Sequence, residues 1–230
     1  MNTYEVLVKG HEEVAAGTMV FRFTKPAGFV FKPGQAVTLF LIEPPPEANS
    51  KQRIFSLVSA PFEAELAVAT RMREGSAFKR ALKSLQPGAK LQLKGPRGVM
   101  TLHEDRSRAA VFIAGGIGIT PFMSMLRQAA HDRLDQRLLL LCSNRREQDT
   151  PFFAELQGLE RRSDNFRLLA RMTDLDGFVD EAAIKRFVAD AAAPIYYLAG
   201  PPAMVEAMKA VLRGAGVSEA DVRSEQFYGY

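Results

Sequence analysis

The sequence predicts a chain of two unlike halves: an antiparallel β-barrel domain, followed by an α/β domain built on a parallel sheet. Three observations carry this. Up to about residue 105 the apolar runs are short and divided by Gly/Pro turns, with one helical stretch among them, the pattern of a small barrel. From Arg106 onward, fully apolar short runs alternate with helical periods, which indicates parallel strands covered on both faces. The stretch Val111–Leu126, VFIAGGIGITPFMSML, reads as a buried strand, a glycine turn and a helix opened by Pro121, the start of a βαβ unit.

In the first half, Tyr4–Lys9 and Met19–Thr24 have the composition of strands. Lys32-Pro33-Gly34-Gln35 is a turn that leads into a strand over Ala36–Ile42. Pro44-Pro45-Pro46 cannot join a sheet ladder and is expected in an exposed loop. Strands follow at Arg53–Ser59 and Leu66–Thr70, then a helix over Ser76–Leu85 with Ser76 as N-cap, and a strand over Lys90–Lys94 after Pro87-Gly88. The polar stretch Glu104–Ser107 marks the boundary, giving domains at 1–104 and 105–230. In the second half strands are expected at Ala110–Ala114, Arg137–Ser143, Phe166–Met172 and Ile195–Ala199. Helices are expected at Pro121–Ala130, Pro151–Leu159, Glu181–Val188 and Pro201–Gly214.

Composition narrows the function. The 230 residues are 47% hydrophobic, enough for an ordinary core. The single cysteine, Cys142, leaves no disulfide framework and too few thiolates for an iron–sulfur cluster. His11, His103 and His131 lack ligand spacing, so no metal site is expected. No signal peptide and no membrane-spanning run is evident, and a cytoplasmic protein with no membrane partner is expected. Residues 1–105 hold 14 Lys and Arg against 10 Asp and Glu, whereas 106–230 hold 16 of each. The basic first half suits an anionic cofactor or an acidic partner. No basic run carries interleaved aromatics, which argues against nucleic acid.

Several residues read as ligand contacts. Gly116, Gly118 and the N–H groups near Thr120 form a glycine turn at a helix start, which favours a phosphate. The run Tyr197–Met208 repeats the device, its strand ending at Gly200 and its helix opening at Pro201-Pro202. The strand ending at Ser143-Asn144-Arg145-Arg146 places arginines where an NAD-preferring fold has an acid, which leans toward NADPH. Arg53-Ile54-Phe55-Ser56 puts Arg53 and Phe55 on one face of a strand and Ser56 on the other. There arginine can hold a diphosphate, an aromatic ring can cover a flat heterocycle, and a hydroxyl can bond a ring nitrogen. Ser76 at a helix start, shortly after Arg71, is a second phosphate contact.

With these motifs in this order, the sequence resembles the ferredoxin–NADP reductase superfamily over nearly its whole length. RIFS at Arg53–Ser56 is similar to the flavin motif Arg-x-Tyr-Ser. TRMREGSAF at Thr70–Phe78 is similar to the flavin diphosphate segment, and GGIGITP at Gly115–Pro121 to the nicotinamide-nucleotide loop. AGPPAM at Ala199–Met204 is similar to Cys-Gly-Pro-x-x-Met, with Ala199 in place of the cysteine. EQFYGY at Glu225–Tyr230 resembles the aromatic C-terminus of compact bacterial members.

The resemblance implies a six-stranded FAD barrel and an NAD(P) domain. It implies FAD contacts from Arg53, Ile54, Phe55, Ser56, Ala69, Thr70, Arg71, Met72, Ser76, Ala77, Phe78 and Tyr230. Phe55 would replace the stacking tyrosine, losing its phenol. NADP(H), preferred over NAD(H), would meet Gly116, Gly118, Thr120, Pro121, Ser143, Asn144, Arg145, Arg146, Gly200, Pro201 and Met204. Ser56 near flavin N5, Glu225 as a proton relay and Tyr230 as a ring cover that moves aside are the expected catalytic residues. The expected reaction is NADPH to FAD to a separate electron acceptor, a ferredoxin, flavodoxin or oxygenase component. An NAD(P)H-dependent flavin reductase and a non-catalytic nucleotide sensor are the alternatives.

Overall fold

A computed structural model describes residues 2–48 and 50–228. The chain divides into two compact units, Met1–Thr101 with Thr120–Gln128, and Leu102–Ile119 with Ala129–Tyr230.

The first unit is a six-stranded antiparallel sheet made of β1 (Asn2–Ala15), β2 (Thr18–Thr24), β3 (Ala36–Leu41), β4 (Gln52–Ser56), β5 (Glu65–Arg71) and β6 (Lys90–Arg97). The strand order is β4-β3-β6-β1-β2-β5. The outer strands meet through the Leu57–Val68 bridge and the Val58 N–H to Ala67 carbonyl bond of 2.8 Å, which closes the barrel. Strand alternation sends Val37, Leu39 and Leu41 of β3, with Leu91 and Leu93 of β6, into one core. Helix α1 (Ala77–Ser84) adds Phe78 and Leu82 to that core. Its N-cap is Ser76, whose hydroxyl accepts from the Lys79 N–H at 3.3 Å, a contact worth about 1 kcal/mol. β1 runs well past the Lys9 end expected from sequence. Its first part pairs with β6, and its polar second part pairs with β2 after a register shift between Val8 and Gly10. Backbone pairing, which apolar periodicity cannot report, extends it. Ser124 of α2 (Ile119–His131) donates to the Ser59 carbonyl at 2.7 Å within this unit.

The second unit is a five-stranded parallel sheet. Its strands are β7 (Ala110–Gly115), β8 (Leu138–Asn144), β9 (Phe166–Met172), β10 (Ile195–Gly200) and β11 (Val222–Gln226), ordered β11-β10-β7-β8-β9. Val111, Ile113, Leu139, Leu141, Tyr196 and Leu198 pack on α5 (Glu181–Phe187) and α6 (Pro202–Gly214) through Ile184, Val205, Met208 and Leu212. α3 (Phe153–Arg162) links β8 to β9, and the short α4 (Thr173–Asp176) follows β9. Three features depart from the sequence reading. α2 begins at Ile119 after a 3-10 turn at Gly116–Gly118, so Pro121 lies in the first turn, where its missing N–H costs nothing, rather than opening the helix. α4 is a single turn, too short for a periodic signal. β11, VRSEQ, has no apolar alternation and is held by parallel pairing to β10.

A partly buried polar network ties the start of this unit to its sheet. His103 Nδ1 lies 2.8 Å from the Tyr197 hydroxyl, which also accepts from the His103 N–H at 2.8 Å. His103 Nε2 lies 3.1 Å from the Arg108 carbonyl, to which Gln136 Nε2 donates at 2.9 Å. The Arg108 guanidinium donates to the Ala193 and Pro194 carbonyls and to Asp221. Among the described residues no helix is long and apolar enough to cross a membrane.

Candidate functional site

In the barrel unit, strand alternation brings Arg53 and Phe55 to one face. The Arg53 guanidinium carbon stands 5.5 Å from the Phe78 ring centroid, and the Phe55 and Phe78 rings are 6.2 Å apart. Ile54 faces the other way and is 55% exposed, so only its backbone could take part. Ser56 is buried at the end of β4, paired with Ala36. Ala69 and Thr70 are buried in β5, Arg71 is exposed at its end, and half-buried Met72 packs on the barrel core.

Cations gather at the start of α1. Lys79 donates from Nζ to the Arg71 carbonyl at 2.8 Å. Its pKa is lowered by burial and then by the positive charges of Arg73 and Arg53. No acidic residue occupies the first turn of α1. A capped helix start with unpaired N–H groups, facing mutually repelling cations, fits a diphosphate. Sequence reasoning found Arg53, Arg71 and Ser76 but missed Arg73 and Lys79. The signal was present as a basic run around the cap.

In the second unit the strand order reverses between β7 and β10, the place where open parallel sheets hold ligands beyond their strand ends. The two glycine turns lie at those ends. Any Cβ at Gly118 would overlap the Ala199 carbonyl, and one at Gly115 would overlap the Met204 sulfur. Gly200 is less crowded, since a Cβ there would lie 3.1 Å from the Gly115 nitrogen. Gly118 therefore serves close packing of one turn against the other, rather than only the backbone approach to a ligand expected from sequence. Gly116, at φ +53°, takes the left-handed step of the turn. Buried Thr120 and Pro121 lie in the first turn of α2, and half-buried Pro201 caps α6. The result is a tight paired cradle that fits an extended dinucleotide.

At the carboxyl end of β8, Ser143 is half-buried, Asn144 is buried and Arg145 is exposed. Arg146 forks onto Asp149, Nε to Oδ2 at 3.0 Å and Nη2 to Oδ1 at 3.4 Å, and Asp149 is buried. Phe152, just beyond, holds a left-handed backbone at φ +61°, a strained state for an aromatic residue. Glu225 lies on β11 opposite Ala199 of β10, and burial raises its pKa. Tyr230 lies outside the described residues. Among the described residues no cluster of metal-ligating side chains occurs.

Residues 112–210 match the family described as oxidoreductase NAD-binding domain. The ferredoxin–NADP reductase B of Sorangium cellulosum is 37% identical over 60% of this chain and 56% of its own length. The glycine betaine monooxygenase reductase subunit of Chromohalobacter salexigens is 28% identical over 91% of this chain and 60% of its own. The chain thus spans about three fifths of the length of these curated relatives. A ferredoxin NADP+ reductase from Neisseria gonorrhoeae, solved with bound FAD and NADP, superposes with a TM-score of 0.83 at 20% identity. That alignment covers 98% of this chain and 99% of the other. An antiparallel barrel unit and a parallel-sheet unit in one chain define the class, a two-domain fold shared with that reductase. Residues 112–210 thus resemble an oxidoreductase NAD-binding domain, and the chain as a whole has the fold of that ferredoxin NADP+ reductase.

Proposed function

We propose that this chain is a flavoprotein reductase that moves electrons from NADPH through FAD to a small electron-transfer protein, a ferredoxin, a flavodoxin or an oxygenase component. The observation that carries the reading is the cation cluster of Arg53, Arg73 and Lys79 at the start of α1, which calls for an anion of diphosphate size. When bound, FAD supplies the redox centre, taking two electrons from a reduced nicotinamide nucleotide and releasing them singly.

The protein's part is to hold and orient. Arg53, Arg71, Arg73, Lys79 and the N–H groups after Ser76 bind the diphosphate, and Phe55 offers an apolar face to the flavin. Ser56 offers a hydroxyl to the flavin ring. The paired turns at Gly115–Gly118 and Gly200–Pro202 take the nicotinamide nucleotide, and Arg145 reads its 2′-phosphate. Glu225, whose carboxyl keeps its proton to higher pH than usual, stores a proton for the reaction. The domains are proposed as 1–104 for FAD and 105–230 for the nucleotide, in a cytoplasmic protein.

The relatives' names support this reading, since one is a ferredoxin–NADP reductase and another a monooxygenase reductase subunit. The test is anaerobic reduction of the purified yellow protein. NADPH should bleach the flavin absorbance, and an oxidised ferredoxin or oxygenase component should restore it. No bleaching rejects the reductase. Flavin that leaves the protein on gel filtration, and is reduced only when supplied free, makes it a flavin reductase instead.

A further inference from the structure

We propose that the Met204 thioether is a modification site: hydrogen peroxide converts it to the sulfoxide, and the sulfoxide loosens the paired glycine turns. The site lies in the nucleotide cradle proposed above, so this inference rests on that reading and adds regulation to it.

Met204 stands in the first turn of α6, and its side chain reaches both glycine turns. A Cβ on Gly115 would overlap the Met204 sulfur, and a Cβ on Gly200 would lie 3.1 Å from Met204 Cε. The thioether therefore fills the space that two missing side chains leave, and it sets how far apart the turns stand. A flexible, polarisable side chain suits such a gap.

Exposure singles this methionine out. Five of the eight described methionines are buried, and Met72, Met172 and Met204 are half-buried. Met125 packs on Gly34 much as Met204 packs on Gly115, but Met125 is buried. Met72 packs on the barrel core, and Met172 ends β9, the strand at the far edge of the sheet. The one thiol does not compete for peroxide. Cys142 is buried, and burial pushes its pKa up to about 12, so no reactive thiolate forms.

A sulfur lone pair attacks one peroxide oxygen, the S–O bond forms and the O–O bond breaks. The attacked oxygen passes its proton to the departing hydroxide, which leaves as water. The sulfur gives up two electrons and the peroxide takes them. The Gly115 backbone leaves no room on its side of the sulfur for the added oxygen. The sulfoxide is also polar where the thioether met apolar α-carbons. Either the side chain withdraws and leaves the turns without a spacer, or the turns part. Both outcomes displace the N–H groups of the cradle.

The test treats the full chain, as purified, with hydrogen peroxide and removes the peroxide before titration with NADP+. The parent's affinity should fall about fivefold or more. Peptide mass mapping should place one added oxygen on Met204, and methionine sulfoxide reductases acting on both epimers should restore the affinity. Met204→Leu, whatever its starting affinity, should keep that affinity through the treatment. Met72→Leu and Met172→Leu should lose affinity as the parent does. Met204→Leu that loses affinity like the parent, or a parent that keeps its affinity with Met204 oxidised, overturns the proposal. A Met204 left unoxidised overturns it as well, so mapping and repair of the parent decide the matter even if the leucine variant binds nothing. Untreated parent that binds neither NADP+ nor NAD+ overturns the nucleotide reading itself, and this modification's effect with it.

Discussion

Gly118 packs against the Ala199 carbonyl so closely that a methyl group at position 118 would occupy the space of that carbonyl. The obstacle is backbone at the carboxyl end of β10, an inner strand of the sheet, which cannot swing aside. Gly118→Ala is expected to destabilise the protein by about 1–3 kcal/mol, the usual range for overpacking. It should also weaken nucleotide binding, because the two turns must part. Thermal unfolding and NADP+ titration check this. Wild-type values for both would mean the turns can separate freely.

Arg53 is expected to hold FAD. Its guanidinium is fixed over Phe78 and beside Lys79, so a diphosphate there gains a charge-assisted contact worth roughly 1.5–3 kcal/mol. Arg53→Ala should lose flavin on dialysis. Full flavin occupancy and affinity in the variant would remove Arg53 from the site.

The two arginines after β8 should behave differently. Arg146 is committed to buried Asp149, whereas Arg145 is exposed. Arg145→Ala should lower kcat/KM for NADPH and spare NADH, with the parent's preference fading as salt rises. Arg146→Ala should instead lower the melting temperature, because it strands a buried carboxylate. Equal efficiency of NADPH and NADH in the parent would end this account.

His103 should make stability depend on pH. Burial lowers its pKa in the folded protein, and Arg223 and Arg108 add to this against the Arg108 carbonyl and Asp105. The folded state then binds fewer protons than the unfolded state, so the histidine's contribution is complete above its ordinary pKa of 6.5 and is lost as pH falls below it. The melting temperature should drop more steeply on mild acidification in the parent than in His103→Asn. Parallel curves for the two proteins would show that His103 is not the source.

Much of this was legible in the sequence because it is written in local periodicity. The run LLLLC could only be a central strand, and it is the middle of β8. RIFS placed Arg53 and Phe55 on one face, and both lie near Phe78. Ser76 read as an N-cap and is one. What was not legible depends on partners distant in sequence. β11 is made a strand by β10, not by its own residues. The His103–Tyr197 contact joins residues 94 apart, and a histidine with no ligand spacing gives no hint of it. Lys79 sits in a basic run that the sequence shows, but the charge of Arg53 reaches it only through the fold.

The long first strand has a consequence for the order of assembly. β1 takes β6, which ends at Arg97, as the neighbour of its first half. A nascent chain emerging from the ribosome can form the β1–β2 hairpin early, but the open edge at Asn2–Leu7 must wait until Lys90–Gly95 have been made. Until then that edge offers unpaired N–H and C=O groups to any other strand. Its Lys9 side, already in the hairpin, is safe. The amino-terminal side is where premature association during synthesis, or in a fragment cut before Lys90, would begin.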